Sequence, residues 1–266
     1  MNILLTGAAS GLGHAAAVCF ASRGDTVYAL DMRPTEPRDG LIPFLADITD
    51  EKSLRAVAQR LEADGVRLDA IINFAGMIFV DNFLEVEEER LRRIFDVNLL
   101  GAIRVNKTFF PLLRERGRFV IITSEVAPLD PLPFNSIYST TKTALDCYAQ
   151  ALRQEAGLLG YRVITVRPGA FNTPLAGGSI PSMHAMAERS RYFGGQAERF
   201  ETLMRRFTGK LQAPEKLAKR VFRAVHAKHP RNIYTVHRNP GLFLLSLLPK
   251  GLQVHTVRLL VGKKKQ

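Results

Sequence analysis

Cysteine is scarce in this chain of 266 residues: Cys19 and Cys147 are its two copies, and both fall in apolar stretches with a helical period. Two such cysteines argue against a disulfide framework and a cysteine-built metal site, and they suit a reducing compartment such as the cytoplasm. The sequence also has no uninterrupted apolar run of about 18 residues, so no membrane-spanning helix is expected. No basic leader precedes the apolar run Ile3-Leu4-Leu5, so no signal peptide is expected. Acidic residues almost vanish from the last quarter. Residues 200–266 hold 15 Lys or Arg against two Asp or Glu, a net of +13, whereas residues 1–199 hold 22 against 23, a net of −1. A basic segment of this kind fits a solvated face, an anionic membrane surface or nucleic acid. The first two readings are kept, and no nucleic-acid partner is expected.

Apolar runs alternate with helix-period segments along most of the chain. Ile3 to Thr6, Thr26 to Asp31, Ile42 to Asp47, Asp69 to Phe74, Arg118 to Thr123, Tyr161 to Val166 and Asn232 to Val236 read as strands. Helices are predicted over Leu12 to Arg23, Glu51 to Ala63, Glu85 to Asn98, Leu99 to Arg116, Ile137 to Leu158 and Pro214 to Ala227. This alternation implies an α/β fold with a doubly wound parallel sheet. Residues 172–210 break the rhythm with Gly177-Gly178, Pro181 and Gly194-Gly195, which marks a lid insertion. Residues 238–266 form a basic, apolar C-terminal extension. With no linker composition between these parts, residues 1–266 are expected to form one domain.

Two motifs carry chemistry. The loop Thr6-Gly7-Ala8-Ala9-Ser10-Gly11-Leu12-Gly13 follows a strand and opens a helix. Backbone N–H groups and a helix dipole then converge where a pyrophosphate can sit. Far downstream, Tyr138 and Lys142 stand four residues apart, on one face of a helix. A tyrosine ordinarily ionises near ~10, so general-base work at neutral pH requires a nearby cation. The Lys142 ammonium is expected to fill that role. His14, His184, His226, His229, His237 and His255 show no ligand spacing, and no metal is expected.

Taken together, the two motifs resemble the short-chain dehydrogenase/reductase family over about Met1 to Thr173. The resemblance implies a Rossmann-like fold and a nicotinamide cofactor. It places Gly7, Ser10, Gly11, Leu12 and Gly13 at the pyrophosphate. Asp31, ending the second strand, would accept bonds from the adenosine ribose hydroxyls and repel a 2′-phosphate, which favours NAD over NADP. Arg33 would partly offset that repulsion. Asp47 and Ile48 resemble the pair at the adenine ring, although an Asp there also suits a helix cap. Asn73-Phe74-Ala75-Gly76 resembles the family's Asn-Asn-Ala-Gly turn, with Phe74 in place of the second Asn. Pro168, Gly169, Phe171 and Thr173 resemble the run that holds the nicotinamide carboxamide. Asn98, Ser124, Tyr138 and Lys142 match the family's catalytic set, with Thr123 and Ser136 as alternatives to Ser124.

The segments around the expected substrate are greasy: Leu129, Leu132, Pro133 and Phe134 before Tyr138, and Leu175, Ile180, Met183, Met186 and Phe193 in the lid. The run Leu132 to Tyr138 resembles the hydroxysteroid and retinol dehydrogenase branch. A lipophilic secondary alcohol or ketone is therefore the expected substrate. The alternatives are another hydrophobic ketone, a 3-oxoacyl substrate, or an NAD-binding regulator without turnover. The resemblance also implies a homodimer or homotetramer. The extension, with Leu242 to Leu248 before Pro249 and Leu252 to Val261 after it, is expected either to lie on a membrane surface or to pack on the protein.

Overall fold

A computed structural model of the chain describes residues 1–177, 179–207 and 211–262. Seven parallel strands form one sheet in the order β3-β2-β1-β4-β5-β6-β7. They are β1 (Asn2–Thr6), β2 (Thr26–Asp31), β3 (Leu41–Leu45), β4 (Leu68–Asn73), β5 (Leu113–Ile122), β6 (Arg162–Pro168) and β7 (Ile233–Val236). Side-chain alternation along a strand sends neighbours to opposite faces. Accordingly Ile3, Leu5, Ala70 and Ile72 enter the core under α1 (Gly11–Ala21) and α9 (Pro214–His226). Leu4, Leu68 and Ile71 enter the other core, under α2 (Glu51–Ala63), α4 (Ala102–Phe109) and α5 (Ser136–Leu158). Burial on both faces explains why the central strands read as continuous apolar runs. The strand order reverses between β1 and β4. A crevice opens there, at the carboxyl ends of the strands.

One predicted helix is wrong in its second half. The segment expected to be helical from Leu99 to Arg116 stops at Phe109, turns through Phe110–Leu112 and becomes β5. Pro111 ends the helix, since it has no N–H to donate. Arg116 then takes a left-handed φ of 61°, beside Gly117, whose added Cβ would meet Leu113 at 2.7 Å. The helix predicted from Glu85 begins only at Glu88, as α3 (Glu88–Phe95), and runs into a π-helical stretch, Asp96–Gly101.

The insertion is helical: α6 (Pro174–Gly177), α7 (Ser179–Arg189) and α8 (Gly194–Phe207). It is pinned to the body. Asp81, fully buried, pairs with Arg90 at 3.2 Å and with Arg189. Glu85 accepts from the Arg191 N–H at 2.7 Å and from the Ser190 hydroxyl. Phe134 lies edge-on to Phe193 and Phe200. The extension forms α10 (Pro240–Ser246) and α11 (Lys250–Val261). Gly178, residues 208–210 and Lys263 to Lys265 lie outside the described residues, as does the side chain of Ile180.

The glycine loop sets the spacing between α1 and the sheet. A Cβ on Gly13 would stand 2.0 Å from the Gly7 carbonyl oxygen. Gly→Ala inside a helix ordinarily stabilises by up to ~1 kcal/mol. Here the clash reverses the sign. Gly13→Ala is expected to lower stability by about 1–3 kcal/mol, read as a fall in the urea midpoint. A midpoint that rises would show that α1 is free to shift.

Candidate active site

The crevice holds a cavity of about 710 Å³. Its floor begins at β1. Gly7 turns the chain at φ 75° and Gly11 at φ 58°. Ser10, in extended conformation, precedes α1, and no side chain caps the first turn. No acidic residue stands in that turn. The free N–H groups and the dipole thus face the cavity without a competing anion. A Cβ on Gly7 would meet the Ala75 nitrogen at 2.8 Å, and one on Gly11 would meet the Thr173 side chain at 3.4 Å. The loop, the turn after β4 and the segment after β6 therefore converge around one space. Gly7, Ser10, Gly11, Leu12 and Gly13 all line it, with Ala75 and Gly76 from the second segment and Pro168, Gly169, Phe171 and Thr173 from the third. These features fit an elongated phosphate-bearing dinucleotide.

Asp31 lines the same cavity at the end of β2. Its carboxylate accepts from the Ala9 N–H at 2.9 Å and from the Arg33 N–H at 3.0 Å. The Arg33 guanidinium donates to the Ser10 hydroxyl at 2.7 Å and lies 3.7 Å from Asp31. A cation and an anion thus share the corner where a ribose hydroxyl or 2′-phosphate would lie. Asp47 and Ile48 line the cavity too. Asp47 is not the cap of α2, a role taken by Asp50, which accepts from the Lys52 N–H. Asp47 instead accepts from the N–H and hydroxyl of Thr49, each at 2.8 Å.

Asn73 differs from its sequence grouping. It sits behind the cavity, where its side chain donates to Asn106 at 2.8 Å, and it does not line the space. Asn106 in turn donates to the Tyr148 hydroxyl at 3.1 Å. Asn98 does not line the cavity either. It is fully buried within the π-helical stretch, a local form frequent at functional sites. Its amide oxygen accepts from the Met77 N–H at 2.7 Å, and its amide nitrogen donates to the Met77 carbonyl and the Thr141 hydroxyl. Gly76 lies between Asn98 and the lysine: a Cβ there would be 3.3 Å from Asn98 Oδ1 and 3.4 Å from Lys142 Nζ.

Ser124 and Tyr138 meet at the catalytic end. Ser124 lies just after β5, near enough to the Tyr138 hydroxyl to lower its pKa. Of the alternatives, Thr123 donates its hydroxyl to Asp146 at 3.1 Å, and Ser136 does not line this cavity. Lys142 is buried; its Nζ donates to the Ile122 carbonyl at 3.3 Å and lies 5.8 Å from the Tyr138 ring centroid. The expected lowering of the tyrosine is absent. Desolvation pushes Tyr138 up to about 12, the Glu125 charge adds to this, and the Ser124 bond opposes it. Burial pulls Lys142 down to about 8. Desolvation of both groups outweighs their mutual attraction at this separation. Glu125, next to Ser124, is itself buried. Burial raises its pKa, against the Asn239 N–H that it binds at 2.5 Å.

The greasy residues divide between two roles. Leu132, Leu175 and Met183 line the cavity. Met186 and Phe134 are buried in the cluster that holds the lid together, with Phe193 packed against it. They belong to the lid core and not to the substrate wall. Phe74, Met77, Ile78 and Val80, missed by sequence reasoning as lining residues, add apolar surface. Their position after β4, at the switch point, was the available signal.

Residues 1–183 match the short chain dehydrogenase family. The chain belongs to that family. It is 30% identical over 173 residues to a 3-ketodihydrosphingosine reductase of Bacteroides thetaiotaomicron, covering 64% of each chain. It is 32% identical over 191 residues to estradiol 17-beta-dehydrogenase 2 of Rattus norvegicus, covering 66% of this chain and 49% of that one. The chain thus spans less than two thirds of the length of these relatives. A short-chain dehydrogenase from Streptomyces avermitilis superposes with a TM-score of 0.74 at 27% identity, covering 97% of this chain and 93% of that one.

The buried lysine gives a pH test. Folded, Lys142 loses its proton near 8, whereas unfolded it does so near 10.5. Between these values the unfolded chain binds more protons, so stability rises with pH. Above pH 10 Tyr138 acts with the opposite sign, because folding holds its proton to about 12. In ligand-free protein, Lys142→Met is expected to be more stable than its parent below pH 8. That lead should shrink by an amount on the order of 2–3 kcal/mol by pH 10. Urea unfolding at both ends of the window measures it, and a constant difference would contradict the burial.

Proposed function

We propose that this protein is an NAD-dependent oxidoreductase that interconverts a secondary alcohol and a ketone on a lipophilic, hydroxysteroid- or retinoid-like substrate. The observation that carries this reading is the meeting of Ser124, Tyr138 and Lys142 at the end of a glycine-lined cavity. A nicotinamide dinucleotide held by Gly7 to Gly13, Asp31, Asp47 and Ile48, and by Pro168 to Thr173, supplies the hydride acceptor or donor. The Ser124 hydroxyl hydrogen-bonds the substrate oxygen as charge develops on it. Tyr138 Oη gives a proton to that oxygen in reduction and takes it in oxidation. With its proton held to about 12, Tyr138 rests as a neutral phenol, ready for the reductive direction. The Lys142 ammonium holds ribose hydroxyls and stabilises the phenolate. Asn98 fixes the Met77 backbone and Thr141 beside the lysine.

Asp31 favours NAD by repelling a 2′-phosphate, and Arg33, bonded to Ser10, is the counterweight. The relatives named for a sphingoid ketone and for estradiol support a lipid substrate. The mostly apolar substrate end of the cavity supports it too. The purified protein is expected to produce NADH from a hydroxysteroid or retinol. Tyr138→Phe is expected to lose roughly 10²–10⁴-fold in turnover while still binding NAD. Full turnover in that variant would sink the mechanism. NAD binding without turnover of any alcohol or ketone would favour a silent regulator. Preference for NADP would overturn the reading of Asp31 alone.

The extension is read as a membrane-facing surface. Leu244, Leu247, Leu252, Leu259 and Leu260 are exposed on α10 and α11, beside Lys250 and Arg258. Among the described residues no helix is long and apolar enough to cross a membrane, so contact would be peripheral. The inner face is already packed, with Gln253 bound to Asp130 at 2.7 Å and Val261 buried against the lid. The parent chain is expected to float with anionic liposomes, and Leu244→Glu/Leu259→Glu to remain below. Equal flotation would remove the membrane reading. Family membership supports assembly into a dimer or tetramer through α4 and α5.

A further inference from the structure

A second cleft, of about 370 Å³, adjoins the first cavity. One wall is the loop that leads into α5, with Val126, Leu129 and Leu132. The other is the extension, with Leu242, Leu245 and Val257. Leu132 and Asn135 belong to the walls of both spaces. Two side chains therefore stand between the catalytic end of the first cavity and the second cleft. The Asn135 side-chain oxygen is buried without a hydrogen-bond partner. The cleft reaches the surface, because Val254 lines it and is 60% exposed. Its acidic lining residue, Asp130, is paired with Lys250 and accepts from the Gln253 amide at 2.7 Å. Ser136, Ser139, Ser246 and Arg258 also line the cleft, yet most of its wall is apolar.

We infer that this cleft holds the hydrocarbon tail of the substrate whose reactive carbon sits against Tyr138, an inference that rests on the oxidoreductase reading above. Three features favour a chain over a second molecule. The slot shares Leu132 and Asn135 with the cavity that holds the reacting end. Its lining is mostly apolar, which suits a hydrocarbon chain better than a polar second ligand. It opens on the face where α10 and α11 carry exposed leucines, so a tail can slide in from a lipid surface. A compact ring system needs only the first cavity; a substrate with an aliphatic extension uses both. The loop between them is held in a bent shape by Phe134, whose left-handed φ of 63° is uncommon outside glycine. Its backbone carbonyl accepts from the Asp81 N–H at 2.9 Å, which holds the loop between Leu132 and Asn135 in place.

The test compares secondary alcohols that share a methyl carbinol end and differ in chain length. The parent is expected to show kcat/KM rising with length. Val257→Trp fills the cleft, and its KM for the long alcohols should rise roughly tenfold or more while its turnover of the short ones is unchanged. Retained short-chain turnover also shows that the variant is folded. An equal effect on long and short alcohols, or none on either, would overturn the inference. A second readout does not depend on catalysis. The chain contains no tryptophan, so Val254→Trp places a sole indole at the rim of the cleft. A long-chain alcohol brominated at its tail, used below its micelle concentration, should quench that emission, and a short brominated alcohol should not. Quenching without turnover of any alcohol would overturn the oxidoreductase reading and leave the cleft standing. Absence of quenching would overturn the cleft even where turnover is found.

Discussion

A lysine ammonium buried beneath a cavity is the constraint around which this site is arranged. Water is gone from Lys142, and the Ile122 carbonyl at 3.3 Å replaces part of its hydration. A buried ammonium favours whatever brings oxygen atoms to it, which gives the site an affinity for hydroxyl-bearing ligands. The same burial explains other choices nearby. Gly76 carries no Cβ because a Cβ there would crowd Nζ and Asn98 Oδ1. Asn98 needs the widened π turn to reach the Met77 backbone with both ends of its amide. Tyr138 keeps its proton because burial disfavours its phenolate and the nearby Glu125 charge adds to that.

Keeping Tyr138 opposite Ser124 requires α5 and β5 to hold one another. Asp146 on α5 does this. It accepts two bonds from Arg167 of β6, at 2.9 and 2.6 Å, and one from Thr123 at the end of β5. A bidentate arginine–carboxylate pair fixes orientation as well as distance. Two turns further along α5, Arg153 reaches the Val163 carbonyl and the Thr165 hydroxyl. The catalytic helix is therefore tied to two strands by polar bonds above an apolar seam. The geometry of Ser124 and Tyr138 is set by these ties and not by the thirteen-residue loop, 123–135, between β5 and α5.

The sheet was legible because its strands are buried on both faces and so appear as plain apolar runs. β2 and α2 match their predicted limits, and the glycine loop declared its turn through residues that only glycine satisfies. The misread stretch, Leu113 to Arg116, is rich in helix formers, and tertiary pairing with β4 overrode local propensity. The placement of Asn73 and the desolvation of Tyr138 were invisible for another reason. Both depend on where solvent ends, and a residue pattern encodes contact partners better than it encodes water. Likewise Met186 and Phe134 look the same in sequence whether they face a substrate or a lid core. Only the packing of α7 and α8 against Phe134 separates the two.

The basic extension looked like an appendage in the sequence, since its charge and composition set it apart from the body. Its attachment argues otherwise. Glu125, adjacent to Ser124, accepts the Asn239 N–H just ahead of α10. Gly169, in the cofactor-side segment, must be glycine because a Cβ would meet the His237 carbonyl at 1.8 Å. The chain leaves β7 through His237 in a left-handed turn, and that turn presses against both sides of the catalytic end. From there α10 and α11 close over the loop before Tyr138, and Val261 completes the lid core. One continuous segment thus touches the residue beside the serine, the cofactor-side loop, the substrate loop and the lid. A force applied to its outer face would be felt at each of them. The placement makes the extension a support behind the active site, packed on the loops that line it.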